Sequence, residues 1–177
     1  MPSWDRIARR IRVPLGFLLA IIYIWLSHPT HVSIQTGSVL IVVGLIIRAL
    51  ASGHVRKNEE LTTSGPYAYT RNPLYLGSII LAAGFAIAGR NIAITACVVV
   101  FFLLIYIPVI RAEEKFLRAR FPEFEDYSRR VPGLLPRLSA PPGGSSFSWD
   151  LYRKHREYNA ILGTAFMIVI LLAKVFW

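Results

Sequence analysis

Two stretches of the chain combine residue types that could do chemistry. The first is TSGPYAYTRNPLYLG, residues 63–77, with three tyrosines, an arginine, two prolines and two glycines in fifteen positions. The second is RAEEKFLRARF, residues 111–121, with the adjacent carboxylates Glu113 and Glu114. Aromatic faces attract cations by about 0.5–2 kcal/mol each, depending on desolvation. A Gly-Pro turn lets backbone approach a ligand closely. A sulfonium such as that of S-adenosylmethionine is one cation that Tyr67, Tyr69 and their neighbours would suit.

Each stretch also has a plain structural reading. Asn72 suits a helix N-cap and Pro73 a first helical position. Arg71 and Tyr75 suit a membrane interface. Gly77, Ser78, Ala82, Ala83, Gly84 and Ala88 give a small-residue face for close helix packing. Taken alone, RNPLYLG reads as a helix start. The GPYAY turn is balanced between interfacial tyrosines and a binding site. Glu114 has Arg111 three residues before it and Arg118 four after, a local ion-pair row that solvates it. The helical neighbours of Glu113 are Val109, Ile110, Phe116 and Leu117, so it has no local basic partner. A ligand ammonium would supply that charge; Arg71 or His54 across the bundle is the alternative.

The elements that must position these residues are apolar. Of 177 residues, 54% are hydrophobic, and the mean hydropathy is +0.48. A spanning helix needs about 20 mostly apolar residues. Five segments are candidates: roughly 13–29, 34–52, 73–88, 92–110 and 158–176. Only Gly89, Arg90 and Asn91 separate the third from the fourth, as in a tight helical hairpin. The start, MPSWDRIARRIRV, has a basic n-region without a clear cleavage site after its apolar run, so a retained first helix is expected.

The net charge is +10. Its arginines cluster at the ends of apolar runs, and ten Lys/Arg fall within 111–157. The positive-inside rule puts the N-terminus and the polar segments 53–72 and 111–157 on the cytoplasmic side. Topology thus accounts for the charge, which argues against nucleic-acid binding. Cys97 is the single cysteine and reads as a small packing residue. No Cys/His zinc pattern exists, and no metal is expected. VIRAEEKFLRARF reads as a helical continuation with Ile110, Leu117 and Phe121 on one face. FPEFEDYSRRVPGLLPR reads as turns, and LSAPPGGSSFS as a flexible linker.

LTTSGPYAYTRNPLYLG, an apolar hairpin, and EEKFLRARFPEFEDYSRRVPGLLP together resemble the isoprenylcysteine carboxyl methyltransferase family and the related membrane phospholipid N-methyltransferases. The resemblance covers roughly residues 45–137, a methyltransferase-like core. Residues 138–157 would be a linker and 158–176 a C-terminal transmembrane helix, all within one all-α membrane domain, 1–177. The resemblance implies a cytoplasmic pocket for S-adenosylmethionine and a lipophilic or lipidated substrate met among membrane lipids. Carried over, Leu61, Thr62, Tyr67, Asn72, Pro73, Leu74 and Tyr75 would hold the cofactor. Glu113 would take its ammonium, with Glu114 completing the acidic pair. Arg71 would orient an anionic substrate group, and Arg111 is the nearest counterpart of the family's substrate arginine. Asn72 stands where the family often has histidine, and FPEF replaces the usual Phe-Gly-Glu-Glu-Tyr.

A carboxylate acceptor needs no general base, whereas an amine does, and His54 is the nearest candidate. A carboxylate or thiolate acceptor is therefore favoured. The absence of a cleavable signal and of a retention motif is compatible with a bacterial inner membrane. Membrane sterol reductases, which bind NADPH, share an Arg-x-Pro-x-Tyr-x-Gly element but commonly follow its glycine with an acidic residue; here Ser78 follows Gly77. A non-enzymatic helical subunit would explain the arginines and small-residue faces, but not Glu113 or the GPYAY turn.

Overall fold

In the computed structural model, residues 4–56, 59–139 and 145–176 are described. Lys57 and the 140–144 part of the expected linker lie outside them. Within the described residues the chain forms seven α-helices: α1 Trp4–Leu26, α2 His31–Ser52, α3 Pro73–Gly89, α4 Ile92–Arg120, α5 Phe124–Arg130, α6 Trp149–Lys154 and α7 Tyr158–Val175. A short 3-10 turn covers Gly65–Ala68.

Helices α2, α4 and α7 are long and apolar enough to cross a membrane. The other two expected spans fall short by that measure. Helix α3 has 17 residues, about 26 Å at 1.5 Å per residue, against roughly 30 Å of hydrocarbon. The last 18 residues of α1 still contain Arg9, Arg10 and Arg12.

Helices α2 and α3 are packed through glycine. Gly37 and Gly44 on one helix meet Gly84 and Gly77 on the other, each pair being seven residues apart, two helical turns. A Cβ on Gly44 would stand 2.7 Å from the Gly77 carbonyl oxygen, and one on Gly84 2.6 Å from that of Gly37. The small-residue face expected on α3 therefore sets its distance from α2. The α3–α4 hairpin turns at Arg90, which is left-handed (φ 49°). Asn91 caps α4 by accepting from the Ala93 and Ile94 N–H groups, while its Nδ2 donates to the Leu26 carbonyl.

Tyr23, Ile34, Ala88, Ile94 and Leu171 form a core at that end. Lys174 on α7 donates to the Ile24 carbonyl at 2.6 Å and the Ser27 carbonyl at 2.8 Å. It thereby satisfies groups that every helix leaves orphaned at its C-terminus.

Three sequence expectations are corrected here. FPEFEDYSRRV contains a helix, α5, because Phe124, Tyr127 and Val131 bury one face against Leu61, Leu117 and Phe121. Residues 149–154, within the stretch expected to link, form α6, capped by the Ser148 side chain. Cys97 is exposed on α4 and packs no core.

Helix α4 is locally π-helical over Phe102–Tyr106, with the Ile107 N–H donating to the Phe102 carbonyl. Pro108 has no N–H for the Leu104 carbonyl, its i−4 partner. The Trp4 indole donates to the Leu104 oxygen at 3.1 Å. This contact ties the start of α1 to the break in α4.

Candidate functional site

The segment 65–72 carries most of the tyrosine-rich motif and is stitched to residues 132–137. Arg71 N–H donates to the Pro132 carbonyl at 2.9 Å, and Arg137 N–H to that of Tyr69 at 3.0 Å. The Thr70 hydroxyl meets the Gly133 and Leu134 carbonyls, both at 3.1 Å. Gly65 has φ +57°, and a Cβ there would run into the His54 ring, so glycine is required on both counts. The Tyr127 hydroxyl on α5 donates to the Tyr67 carbonyl at 2.8 Å. Burial pushes the Tyr67 and Tyr127 phenols above their ordinary pKa.

This stitching leaves a cavity of about 460 Å³ between the motif, the C-terminal half of α4 and the end of α2. Leu61, Thr62, Tyr67, Asn72, Pro73, Leu74, Tyr75 and Glu113 all line it, as does Arg71. The two stretches singled out in the sequence are thus brought together. Glu114 and Arg111 do not line it; Arg111 is exposed.

The acidic pair divides its roles. Glu114 does not join a row with Arg111 and Arg118. It accepts from Arg71 Nε at 3.0 Å and Nη2 at 3.2 Å, and from Asn72 Nδ2 at 3.0 Å. Arg118 pairs with Glu125 instead. The tight 69–71/132–137 pairing swings Arg71 under α4, and a bidentate fork is the stronger bond. Asn72 sits at the N-cap position of α3 without capping it, since its amide is spent on Glu114 and the Gly133 carbonyl at 2.8 Å. Arg71 Nη1 donates to the Ser128 carbonyl at 2.8 Å. The guanidinium expected to orient a substrate is therefore engaged throughout within the protein.

Glu113 is different. It makes no ion pair among the described residues and accepts a hydrogen bond from the Tyr75 hydroxyl at 2.8 Å. Neither Arg71 nor His54 is its partner; His54 Nδ1 lies 2.7 Å from the Leu50 carbonyl and outside the cavity lining. The Tyr75 ring meets that of Tyr106 edge-on, with centroids 5.5 Å apart.

Other lining residues were not foreseen. Arg12 from α1 donates to the Tyr75 hydroxyl at 3.2 Å. Arg48 Nε on α2 pairs with Glu157 at 2.6 Å, and its Nη1 donates to Ser78. Tyr106, at the end of the π-helical stretch, also lines the cavity. The available signals were Arg48 inside an apolar run and a carboxylate just before the last apolar helix; intramembrane charges need partners.

Residues 11–123 match the phospholipid methyltransferase family. The chain belongs to that family. The match begins earlier than the expected 45–137 core and takes in α1 from Ile11, while Tyr127 and Glu157 lie beyond its end. The chain is 43% identical over 93 residues to the cobalt-zinc-cadmium resistance protein CzcN of Cupriavidus metallidurans, covering 52% of this chain and 43% of the relative. It is 39% identical over 116 residues to the nickel-cobalt-cadmium resistance protein NccN of Alcaligenes xylosoxydans xylosoxydans, covering 65% and 54%. It is 28% identical over 103 residues to the protein-S-isoprenylcysteine O-methyltransferase of Schizosaccharomyces pombe, covering 58% and 44%. The chain spans about half the length of these relatives. No solved structure matches it.

Proposed function

We propose that the chain is an integral-membrane methyltransferase that uses S-adenosylmethionine on a lipophilic carboxylate, with its cavity on the cytoplasmic side of a bacterial inner membrane. The observation that carries this reading is Glu113. It is a carboxylate without an ion-pair partner among the described residues, in a cavity also walled by the rings of Tyr67, Tyr75 and Tyr106. A volume of about 460 Å³ falls within the range of small-molecule sites, about 300–1,000 Å³. Family membership and the isoprenylcysteine methyltransferase relative support the same reading.

The donor set fits the cofactor. Glu113 would take its ammonium, Thr62 and Asn72 offer polar contacts, and Leu61, Pro73 and Leu74 offer apolar wall. The Tyr67 and Tyr75 rings suit a sulfonium. When bound, S-adenosylmethionine supplies a methyl group already activated by that charge. The protein then has to align acceptor and methyl at about 3–3.5 Å and exclude water. Glu114 acts at one remove, holding Arg71 and Asn72. A carboxylate acceptor brings its own electron pair and releases no proton, and His54 stands outside the cavity lining. This favours a carboxylate over an amine. A pH–rate profile with an essential base near neutrality would count against it.

The test is calorimetric titration of the detergent-purified protein with S-adenosylhomocysteine and, separately, NADPH. Micromolar binding of the first, lost in Glu113→Gln, is expected. Binding of NADPH alone would move the protein to the reductases, and binding of neither would leave a non-enzymatic membrane subunit.

A further inference from the structure

Four arginines border the cavity: Arg12, Arg48, Arg56 and Arg71. Three are committed to carboxylates. Arg71 holds Glu114 in a fork, Arg48 holds Glu157, and Arg56 holds Glu60 at the surface. Arg12 is not in an ion pair among the described residues; its partner there is the neutral Tyr75 phenol, 3.2 Å away.

Arg12 also borders a second hollow of about 310 Å³, where α1 parts from α4. Val13, Gly16, Phe17 and Ala20 wall it on α1, and Phe101 on α4. Arg12 and Tyr106 belong to both hollows, so the two meet there. The groove is apolar, and Val13 and Phe17 are exposed. At Gly16 no atom stands within 4 Å of where a Cβ would be. From Arg12 to Ala20 the helix rises about 12 Å. The groove is thus an open apolar trough long enough for part of a hydrocarbon chain, bordered at its Arg12 end by a guanidinium whose fork suits carboxylate or phosphate.

We propose that Arg12 and the α1/α4 groove form the acceptor subsite. Arg12 takes the anionic group of an amphiphile, and the hydrocarbon chain lies along Val13, Gly16, Phe17, Ala20 and Phe101. The acceptor role rests on the methyltransferase reading above. Tyr75 stands between the two halves: its hydroxyl accepts from Arg12 and donates to Glu113 at 2.8 Å. One phenol thus spaces the acceptor's anion from the carboxylate assigned to the cofactor. Arg12, and not Arg71 or Arg111, becomes the residue that selects an anionic acceptor.

The experiment uses the full chain in phosphatidylcholine nanodiscs with tritiated palmitate as probe. Saturable binding is expected, with methyl palmitate at least tenfold weaker as a competitor than palmitate. Arg12→Gln and Gly16→Leu, the second filling open space, should each weaken binding at least tenfold; Gly16→Leu, which lies outside the lining of the larger cavity, should retain S-adenosylhomocysteine binding. Hexadecyl phosphate competing better than palmitate would assign the anion as phosphate, and the converse as carboxylate; both keep Arg12 in its role. Absence of saturable binding, equal competition by methyl palmitate, or unchanged binding in either variant would overturn the assignment. Palmitate binding without S-adenosylhomocysteine binding would leave the amphiphile site standing and remove the methyltransferase reading instead.

Discussion

Glu113 and Glu114 are neighbours in sequence, and replacing each by glutamine should give opposite results. Glu114 accepts three hydrogen bonds, two from Arg71 and one from Asn72, and its side chain and that of Arg71 are 23% and 17% exposed. Breaking a fully buried pair costs about 3–5 kcal/mol. Partial solvent access reduces that to roughly 2 kcal/mol. In Glu114→Gln one acceptor oxygen survives, but the new amide faces the guanidinium donor to donor. At about 2–4 °C per kcal/mol for a chain of this size, the expected fall in Tm is roughly 4–8 °C. Glu113→Gln keeps an oxygen for the Tyr75 hydroxyl, and the site is exposed. Its stability should change by less than about 0.5 kcal/mol. Its affinity for S-adenosylhomocysteine should fall, because a bond to a charged group is worth about 1.5–3 kcal/mol, or roughly 10- to 150-fold. Thermal unfolding by intrinsic fluorescence and calorimetry, on the same two preparations, read both quantities. Equal losses of Tm in the two variants would refute the division of roles. So would undiminished S-adenosylhomocysteine affinity in Glu113→Gln.

Gly44→Ala should force α2 from α3 and cost about 1–3 kcal/mol, since its Cβ would meet Gly77 and Leu81 backbone at 2.7 Å; Gly163→Ala, with nothing within 4 Å, should be close to neutral in the same thermal assay. Lys174→Met should lower Tm by about 2–8 °C, by stranding the α1 C-terminal carbonyls at a cost of about 1–2 kcal/mol. Burial raises the folded-state pKa of Tyr67 and Tyr127 above the unfolded value, so their contribution is complete below about pH 10 and lost as pH rises beyond it. A Tm profile from pH 8 to 11.5 should therefore fall at its alkaline end, and less steeply in the Tyr67→Phe/Tyr127→Phe double variant.

The local, periodic features were legible in the sequence. The α3–α4 hairpin, the helical run to Arg120 and the glycine face of α3 each follow from residues close together in the chain. So does the meeting of GPYAY with the acidic helix, once a hairpin is known to separate them. What the sequence hid depends on side-chain reach across the fold. A local rule paired Glu114 with Arg111 and Arg118, because i−3 and i+4 spacing is visible in one dimension. Arg71 wins because residues 132–137 pin its backbone beneath α4 and present its fork to both carboxylate oxygens. Asn72 follows the same logic: a capping residue by type, it is drawn off by an acceptor that no local pattern reveals.

The ends of the chain carry the larger consequence. Arg12 and Glu157 stand far apart in sequence, yet both reach the cavity wall, and neither lies in the 45–137 stretch that carried the resemblance. Each arrives there for a reason rooted elsewhere. Helix α1 is tied to α4 by the Trp4 indole on the Leu104 carbonyl, to which Pro108 has no hydrogen to give. Helix α7 is tied to α2 at one end by Glu157 on Arg48, and to α1 at the other by Lys174. The motif supplies the face assigned to the cofactor, while α1 supplies the face assigned to the acceptor. Substitutions along the α1 wall of the groove, such as Gly16→Leu, should therefore alter which amphiphile is bound and leave S-adenosylhomocysteine affinity largely intact, a separation that a single contiguous motif could not provide.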